Sequence, residues 1–278
     1  MMNRFKNLLE KEKWSNFSLG FYKLIAVYEL DKKKSILETL KDNVDWYSVK
    51  EACNMFETTM EQAKSGFETK TLRAKTGYRF ITGMGYPSPV ENGMLLHHIY
   101  GIPYIHGESV KGLVRHVFCE KIAYKEEENY DEFLKALKNL IQKLEEETYE
   151  DEKVLKEYTL LFGTKKREGA IVFFDAYPQE IRKDNFVIDI MNPHYVKYYA
   201  EKGKEPPADW YNPTPIFFLA LEDIEFVFTI GYDPLRLGKE EGDKLIEKAV
   251  SYLRKGLEMY GMGAKKRKGY GWFNVSER

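Results

Sequence analysis

Four consecutive cations, Lys265-Lys266-Arg267-Lys268, lie inside the glycine-rich run Gly261-Met262-Gly263-Ala264-Lys265-Lys266-Arg267-Lys268-Gly269-Tyr270-Gly271. Glycine lets the backbone take left-handed conformations and approach a ligand closely. Lysine and arginine neutralise phosphates. The combination suits a phosphodiester backbone better than a dinucleotide. A Rossmann glycine loop leaves a strand and opens a helix, whereas this one does the reverse. Gly261, Gly263, Lys265, Lys266, Arg267, Lys268 and Gly269 are therefore the first candidate RNA-binding residues. Basic charge after a helix C-terminus is also favourable by itself, so a plain solvated turn is the alternative, and the glycine spacing weighs against it. Tyr270 could stack on a base or pack in the final strand.

The second segment is Ile105-His106-Gly107-Glu108-Ser109-Val110-Lys111-Gly112-Leu113-Val114-Arg115. Gly107 precedes a helix start, where free N–H groups favour an anion. Lys111 and Arg115 are four apart and share a helix face. Gly107, Ser109, Lys111 and Arg115 make a second candidate RNA-binding set. A Ser-capped helix with a solvated basic edge explains the same residues equally well.

His97, His98, His106 and His116 fall within twenty positions. They could supply metal ligands or the acid and base of RNA cleavage. Against this, His97 and His98 are neighbours in an expected strand and should point to opposite faces, and no HExxH spacing exists. Asp175, in an expected strand, is a further candidate acid that is more often structural. We therefore name no catalytic residue and no metal site.

The elements that must position these groups follow from the hydrophobic pattern. From Asn3 to about Leu72 it is helical: Phe17, Phe21, Leu24, Ile25 and Tyr28 recur at helical spacing, as do Val49, Ala52, Cys53, Phe56, Met60 and Ala63. Tyr78–Ile81 reads as a strand, Leu95–Tyr100 with Pro103–Ile105 as a hairpin-like stretch, and Ser109–Tyr124 as a helix. Residues 126–152 read as a charged amphipathic helix with an acidic turn, whose runs Glu126–Glu128 and Glu145–Glu147 mark a solvated surface rather than a metal site. A short helix ends at Gly163. Ala170–Tyr177 reads as a buried central strand, and Phe186–Ile190 as another. Met191–Pro215 is a long irregular segment of functional or interface character. Ile224–Ile230 alternates as a half-buried strand, Asp243 opens a helix ended by Gly261, and Gly271–Val275 forms the last strand. From Gly77 onward the order of strands and helices fits an α+β, split βαβ, ferredoxin-like (RRM-like) arrangement. The expected division is an N-terminal helical module, 1–72, and a ferredoxin-like domain, 73–278, with a helical insertion over about 125–163.

Composition narrows the classes. With 43% hydrophobic and 15% aromatic residues the chain can bury a core, so wholesale disorder is excluded. Lys plus Arg number 43 against 44 Asp plus Glu, a net charge of −1. Any nucleic-acid surface must then be local. Lys and Glu dominate the charge, as in heat-adapted proteins. Cys53 and Cys119 form no CxxC pair, and reduced thiols are expected. No apolar run reaches membrane-spanning length and no leader follows Met1–Leu9, so a cytoplasmic protein without membrane contact is expected.

Taken in order, the two basic segments resemble the RAMP superfamily of CRISPR-associated proteins, whose pattern reads roughly Ile-Pro-Gly-Ser-Ser-Leu-Lys-Gly-x-x-Arg with a terminal glycine-rich loop. Gly83–Pro89, Leu96–Ile105, Leu161-Phe162-Gly163 and Gly169–Ala176 narrow the resemblance to the sixth RAMP subunit of type III-B (Cmr) effector complexes. It covers roughly Gly77 to Phe273. The resemblance implies the RAMP fold and a non-catalytic, guide-RNA-binding subunit in antiviral defence. Such a subunit lies near the 3′ end of the guide, against sibling RAMP subunits, needs no cofactor, and meets target RNA indirectly through guide base pairing. Three departures stand out: His106 replaces the usual Pro, Glu108 occupies the place of a small hydroxyl residue, and Lys266 replaces a frequent Thr. A Glu108 carboxylate could itself occupy the helix terminus. Because some RAMP relatives are metal-independent endoribonucleases that process guide precursors, cleavage through His97, His98 or His106 is the alternative activity. A scaffold that binds only protein is the third.

Overall fold

The computed structural model describes residues 13–24, 33–124, 130–204, 206, 210 and 212–276. Glu126–Glu128, Ile25 and Tyr28 lie outside them. The elements are α1 (Lys33–Asn43), α2 (Trp46–Lys64), β1 (Glu68–Thr76), α3 (Gly107–Ala123), α4 (Tyr130–Glu145), α5 (Glu152–Phe162), β2 (Ile171–Phe173), β3 (Tyr177–Pro178), β4 (Phe186–Met191), β5 (Ile216–Leu221), β6 (Glu225–Tyr232), α6 (Lys239–Met259) and β7 (Phe273–Val275). The protein is an α+β fold.

The main sheet has the antiparallel order β2-β6-β1-β7, and β3 also pairs with β6. One face carries α3 and α6. On α6, Leu245, Ile246, Ala249, Leu253 and Leu257 are buried at helical spacing, the pattern of a helix with one apolar stripe. They meet the sheet residues Phe226, Phe228 and Phe273, whose rings contact one another edge-on or tilted. Gly256 brings the two helices close, because a Cβ there would stand 2.7 Å from Leu113 Cγ.

Five sequence expectations change. The helical pattern ends at Lys64, and β1 begins at Glu68, inside the segment read as helical and astride the expected boundary at residue 72. Leu72, Ala74 and Thr76 are buried at period 2; Arg73 and Lys75 between them, after Thr69 and Thr71, mask the alternation. Tyr78–Ile81 is no regular strand, although Phe80 bridges to Leu221. Strand β6 is central and covered on both faces, with Val227 and Thr229 buried as well as Phe226 and Phe228. Ala170–Tyr177 is not central: it is an edge broken between β2 and β3, where Phe174 N–H donates to Thr229 and Ala176 pairs with Ile105. Helix α6 opens at Lys239 after Gly238, and Asp243 instead accepts a 2.8 Å hydrogen bond from the Tyr232 hydroxyl.

The N-terminal helices share the main core rather than standing apart. Phe17 and Trp46 pack on Phe186 at centroid distances of 4.4 and 5.3 Å. Phe56 of α2 meets Tyr177 at 5.5 Å, and the buried Cys53 thiol donates to Pro178 O. Both cysteines are buried and free. Strands β4 and β5 pair as a separate hairpin-like sheet. Within the Met191–Pro215 segment, Val196–Ala200 forms a short helix.

Candidate nucleic-acid interface

Helix α6 ends at Met259, and Gly261 (φ +61°) reverses the chain while its N–H donates to Gly256 O at 3.0 Å. The loop that follows is sewn to the sheet. Met262 N–H donates to Gly271 O, Ala264 N–H to Ile81 O and Gly271 N–H to Arg79 O, at 2.8, 2.9 and 2.8 Å. Lys265 is left-handed (φ 58°, ψ 30°) and opens a 3₁₀ turn, Lys266–Lys268, closed by a left-handed Gly269. Lys266, Arg267 and Lys268 are exposed. Among the described residues, none of the four loop cations forms an ion pair, although lysines and arginines elsewhere do. Their charge is thus uncompensated on a rigid backbone.

The glycines act differently from the sequence expectation. The sequence reading has the backbone at these glycines approaching a ligand, whereas the Gly261 and Gly269 amides are spent within the chain, on Gly256 O and Lys266 O. A Cβ at Gly261 would stand 2.3 Å from Gly271 O, at Gly263 2.3 Å from Ile81 O, and at Gly271 1.9 Å from Met262 O. Three of these glycines therefore give the loop its fold against itself and the sheet. Gly269 faces open space and is demanded only by its φ of +89°.

A latch beneath the loop was not foreseen. Asp189 of β4 accepts hydrogen bonds from the Tyr270 hydroxyl and Arg79 Nη1, both at 2.6 Å, and from the Ile190 amide at 2.8 Å. Burial alone would raise its carboxyl, but the bonds from Tyr270 and Arg79 outweigh this and hold it below the usual 3.8. Burial and the same carboxylate push Tyr270 up to about 12. Ile81, Phe218 and Ala220 form a small core at the foot, with Ala264 and Tyr270 packed on it. Asp189→Asn is expected to cost ~1–3 kcal/mol of stability at neutral pH, the scale of hydrogen bonds to a charged group. A carboxyl depressed by folding stabilises above its unfolded pKa, and that stability is lost as pH falls through the folded one. Urea unfolding of the two proteins should therefore differ at pH 7 and converge below the usual 3.8; a gap independent of pH would contradict the latch.

The second segment is also occupied from within. Helix α3 begins at Gly107, and its N–H donates to Asp175 Oδ1 at 2.7 Å. The carboxylate on this terminus is thus Asp175's, while Glu108 is exposed. Gly107 is required because a Cβ would stand 2.1 Å from Phe173 O. Ser109 is exposed and does not cap the helix; the His106 carbonyl accepts from its amide. Arg115 is paired with Glu145 of α4 at 3.0 Å, so it is not the free cation its spacing promised. Lys111 forms no ion pair among the described residues. Helix α3 meets the end of α6 through His116, whose ring lies 5.0 Å from Tyr260, and through Glu120, which accepts a hydrogen bond from the Tyr260 hydroxyl. Gly107 lies about 13 Å back along the helix axis at 1.5 Å per residue. The helix start at Gly107 therefore lies away from the end of α3 that meets Tyr260. Asp175→Ala should destabilise by ~1 kcal/mol, as loss of a helix cap does, read as a lowered thermal midpoint; an unchanged midpoint would remove Asp175 from this role.

His97 and His106 pack among aromatic rings, both against Tyr104. His97 packs against Phe56, Tyr100 and Tyr104 at 5.0, 4.9 and 5.5 Å, and burial lowers its pKa. His106 Nε2 lies 3.4 Å from the Tyr104 hydroxyl, and His98 is exposed. Among the described residues no three His, Cys, Asp or Glu groups could hold a metal ion. Glu145 pairs with Arg115, Glu146 with Lys165 and Glu147 with Arg167, so this acidic run is half-buried and ion-paired where the sequence reading has it solvated. No described helix is long and apolar enough to cross a membrane.

The chain belongs to the RAMP superfamily, whose model matches residues 73–274. Within it, the chain is similar to the CRISPR system Cmr subunit Cmr6 of Pyrococcus furiosus, 36% identical over 72% of this chain and 66% of that protein. It is also similar to Cmr6 of Saccharolobus solfataricus, 28% identical over 67% of this chain and 50% of that one. The chain thus spans about half to just under two thirds of the length of these relatives. In fold it is similar to a chain of the type III-B Cmr-beta complex bound to cognate target RNA, with a TM-score of 0.59 and 24% identity over 88% of this chain and 71% of that one.

Proposed function

We propose that the protein is a non-catalytic, guide-RNA-binding subunit of a type III-B CRISPR complex, seated near the 3′ end of the guide beside sibling RAMP subunits in the cytoplasm. The observation that carries the reading is the uncompensated turn Lys265–Lys268 on its braced loop. Those cations neutralise guide phosphates, which sets register without reading sequence. Target RNA is chosen by base pairing with the guide. The strand order β2-β6-β1-β7 with α3 and α6 on one face supports a ferredoxin-like RAMP core. The similarity to Cmr6 proteins supports the assignment to a Cmr-type assembly.

The test is incubation of the purified chain with guide-repeat RNA across a salt series, with and without chelator. Retention of intact RNA that weakens steeply with salt is expected. Specific cleavage abolished by changing His97, His98 or His106 would replace this reading with an endoribonuclease. Absence of RNA retention would leave a protein-only scaffold.

A further inference from the structure

Two exposed aromatic side chains stand at the root of the cationic turn. Trp272 is 37% exposed, while its neighbour Phe273 is buried among Phe80, Phe226 and Phe228. Gly77 N–H donates to Trp272 O at 2.8 Å, which extends the β1–β7 pairing by one step and leaves Tyr78 one residue beyond the one that faces Trp272. Side chains alternate across a strand, so Trp272 and the exposed Asn274 lie on the face away from α6. Tyr78 is 45% exposed, and its ring is steadied by Tyr270 at 5.6 Å and by the Arg79 guanidinium at 5.4 Å. Tyr270 is itself fixed by Asp189. The Tyr78 ring is therefore held beside charge rather than left loose, and Trp272 is placed by the hydrogen-bonded backbone of its strand.

Uncompensated cations attract phosphates, and an adjacent aromatic face takes a base. Inside a duplex the base faces are already stacked on one another, whereas a single strand offers them. We propose that Tyr78 and Trp272 form a base-stacking rim for unpaired nucleobases of an RNA strand whose phosphates lie on Lys265–Lys268. The inference rests on the RNA-binding reading above and adds the class of ligand: single-stranded rather than duplex RNA. Stacking is indifferent to base identity, so the rim contributes affinity without sequence preference.

The test uses the full chain at low salt with three RNAs of equal length: an unstructured single strand, the same strand with abasic linkers, and a duplex. The wild type should bind the intact strand about tenfold more tightly than the abasic one, the scale of one stacked base. The Tyr78→Ala/Trp272→Ala variant should lose that gap while keeping its affinity for the abasic strand, its duplex affinity and its salt slope. The conservative pair Tyr78→Phe/Trp272→Phe should keep the gap. Equal wild-type affinity for intact and abasic strands, or a gap that survives the alanine pair, overturns the rim and leaves the phosphate contacts standing. If the alanine pair lowers the unfolding midpoint, the single variants are read separately against the same three RNAs. Failure of the wild type to hold any of these RNAs, or unchanged binding after neutralising the four loop cations, overturns the underlying reading and the rim together.

Discussion

Exchanging Lys265, Lys266, Arg267 and Lys268 for glutamine is expected to weaken RNA binding by ~10²–10³-fold near 0.1 M salt and to flatten the salt dependence. Each phosphate neutralised on a single strand contributes about 0.7 to the slope of log K against log salt, so four lost contacts remove about 3. The loss should be uniform across sequences, because phosphate contacts read none. The fold should survive, since these side chains make no ion pair among the described residues and three of them are exposed. A filter-binding series over salt reads both quantities. Unchanged slope would remove the loop from RNA contact even if affinity fell for another reason.

Gly271→Ala is expected to be the most destructive small change in the loop, costing ~3 kcal/mol or more. A left-handed residue with a Cβ costs ~1–2 kcal/mol by itself, and at Gly271 the Cβ would also stand 1.9 Å from Met262 O. Relief requires breaking the Met262–Gly271 hydrogen bond or displacing the Asp189–Tyr270 contact next to it. Gly269→Ala provides the internal control: φ is +89° but no atom lies within 4 Å of the added carbon, so only the backbone cost of ~1–2 kcal/mol remains. Urea denaturation should rank wild type above Gly269→Ala above Gly271→Ala. Equal effects at the two sites would mean that the close approach is not what makes Gly271 necessary.

The parts of this protein legible in the sequence are those encoded locally. The glycine-flanked cations, the helix starting near Gly107 and the final strand each rest on neighbouring residues, and the structure places all three near where the pattern put them. Strand β1 was hidden because Thr, Lys and Arg fill its outward positions, which leaves a weak alternation after two helices. The latch was hidden for a different reason: Asp189 lies 110 residues from Arg79 and 81 from Tyr270. A carboxylate within Phe186-Val187-Ile188-Asp189-Ile190 was the available signal that an apolar strand holds a polar task. Asp175 and Gly107, 68 positions apart, follow the same logic. Spacing alone made Arg115 look free, since Glu145 reaches it only through the packing of α4 on α3. Charge at a motif is local information; whether that charge is already neutralised is not.

The central claim, that the Lys265–Lys268 turn holds guide RNA within a CRISPR complex, meets its most direct test in co-purification from the native host. The tagged chain and its four-glutamine variant would be isolated at matched salt, with bound RNA sequenced and partner proteins identified. The account predicts repeat-derived guide RNA with sibling RAMP proteins on the wild type, and markedly less guide on the variant. Wild-type chain that brings no repeat-derived RNA, or a variant that carries as much guide as the wild type, would contradict it.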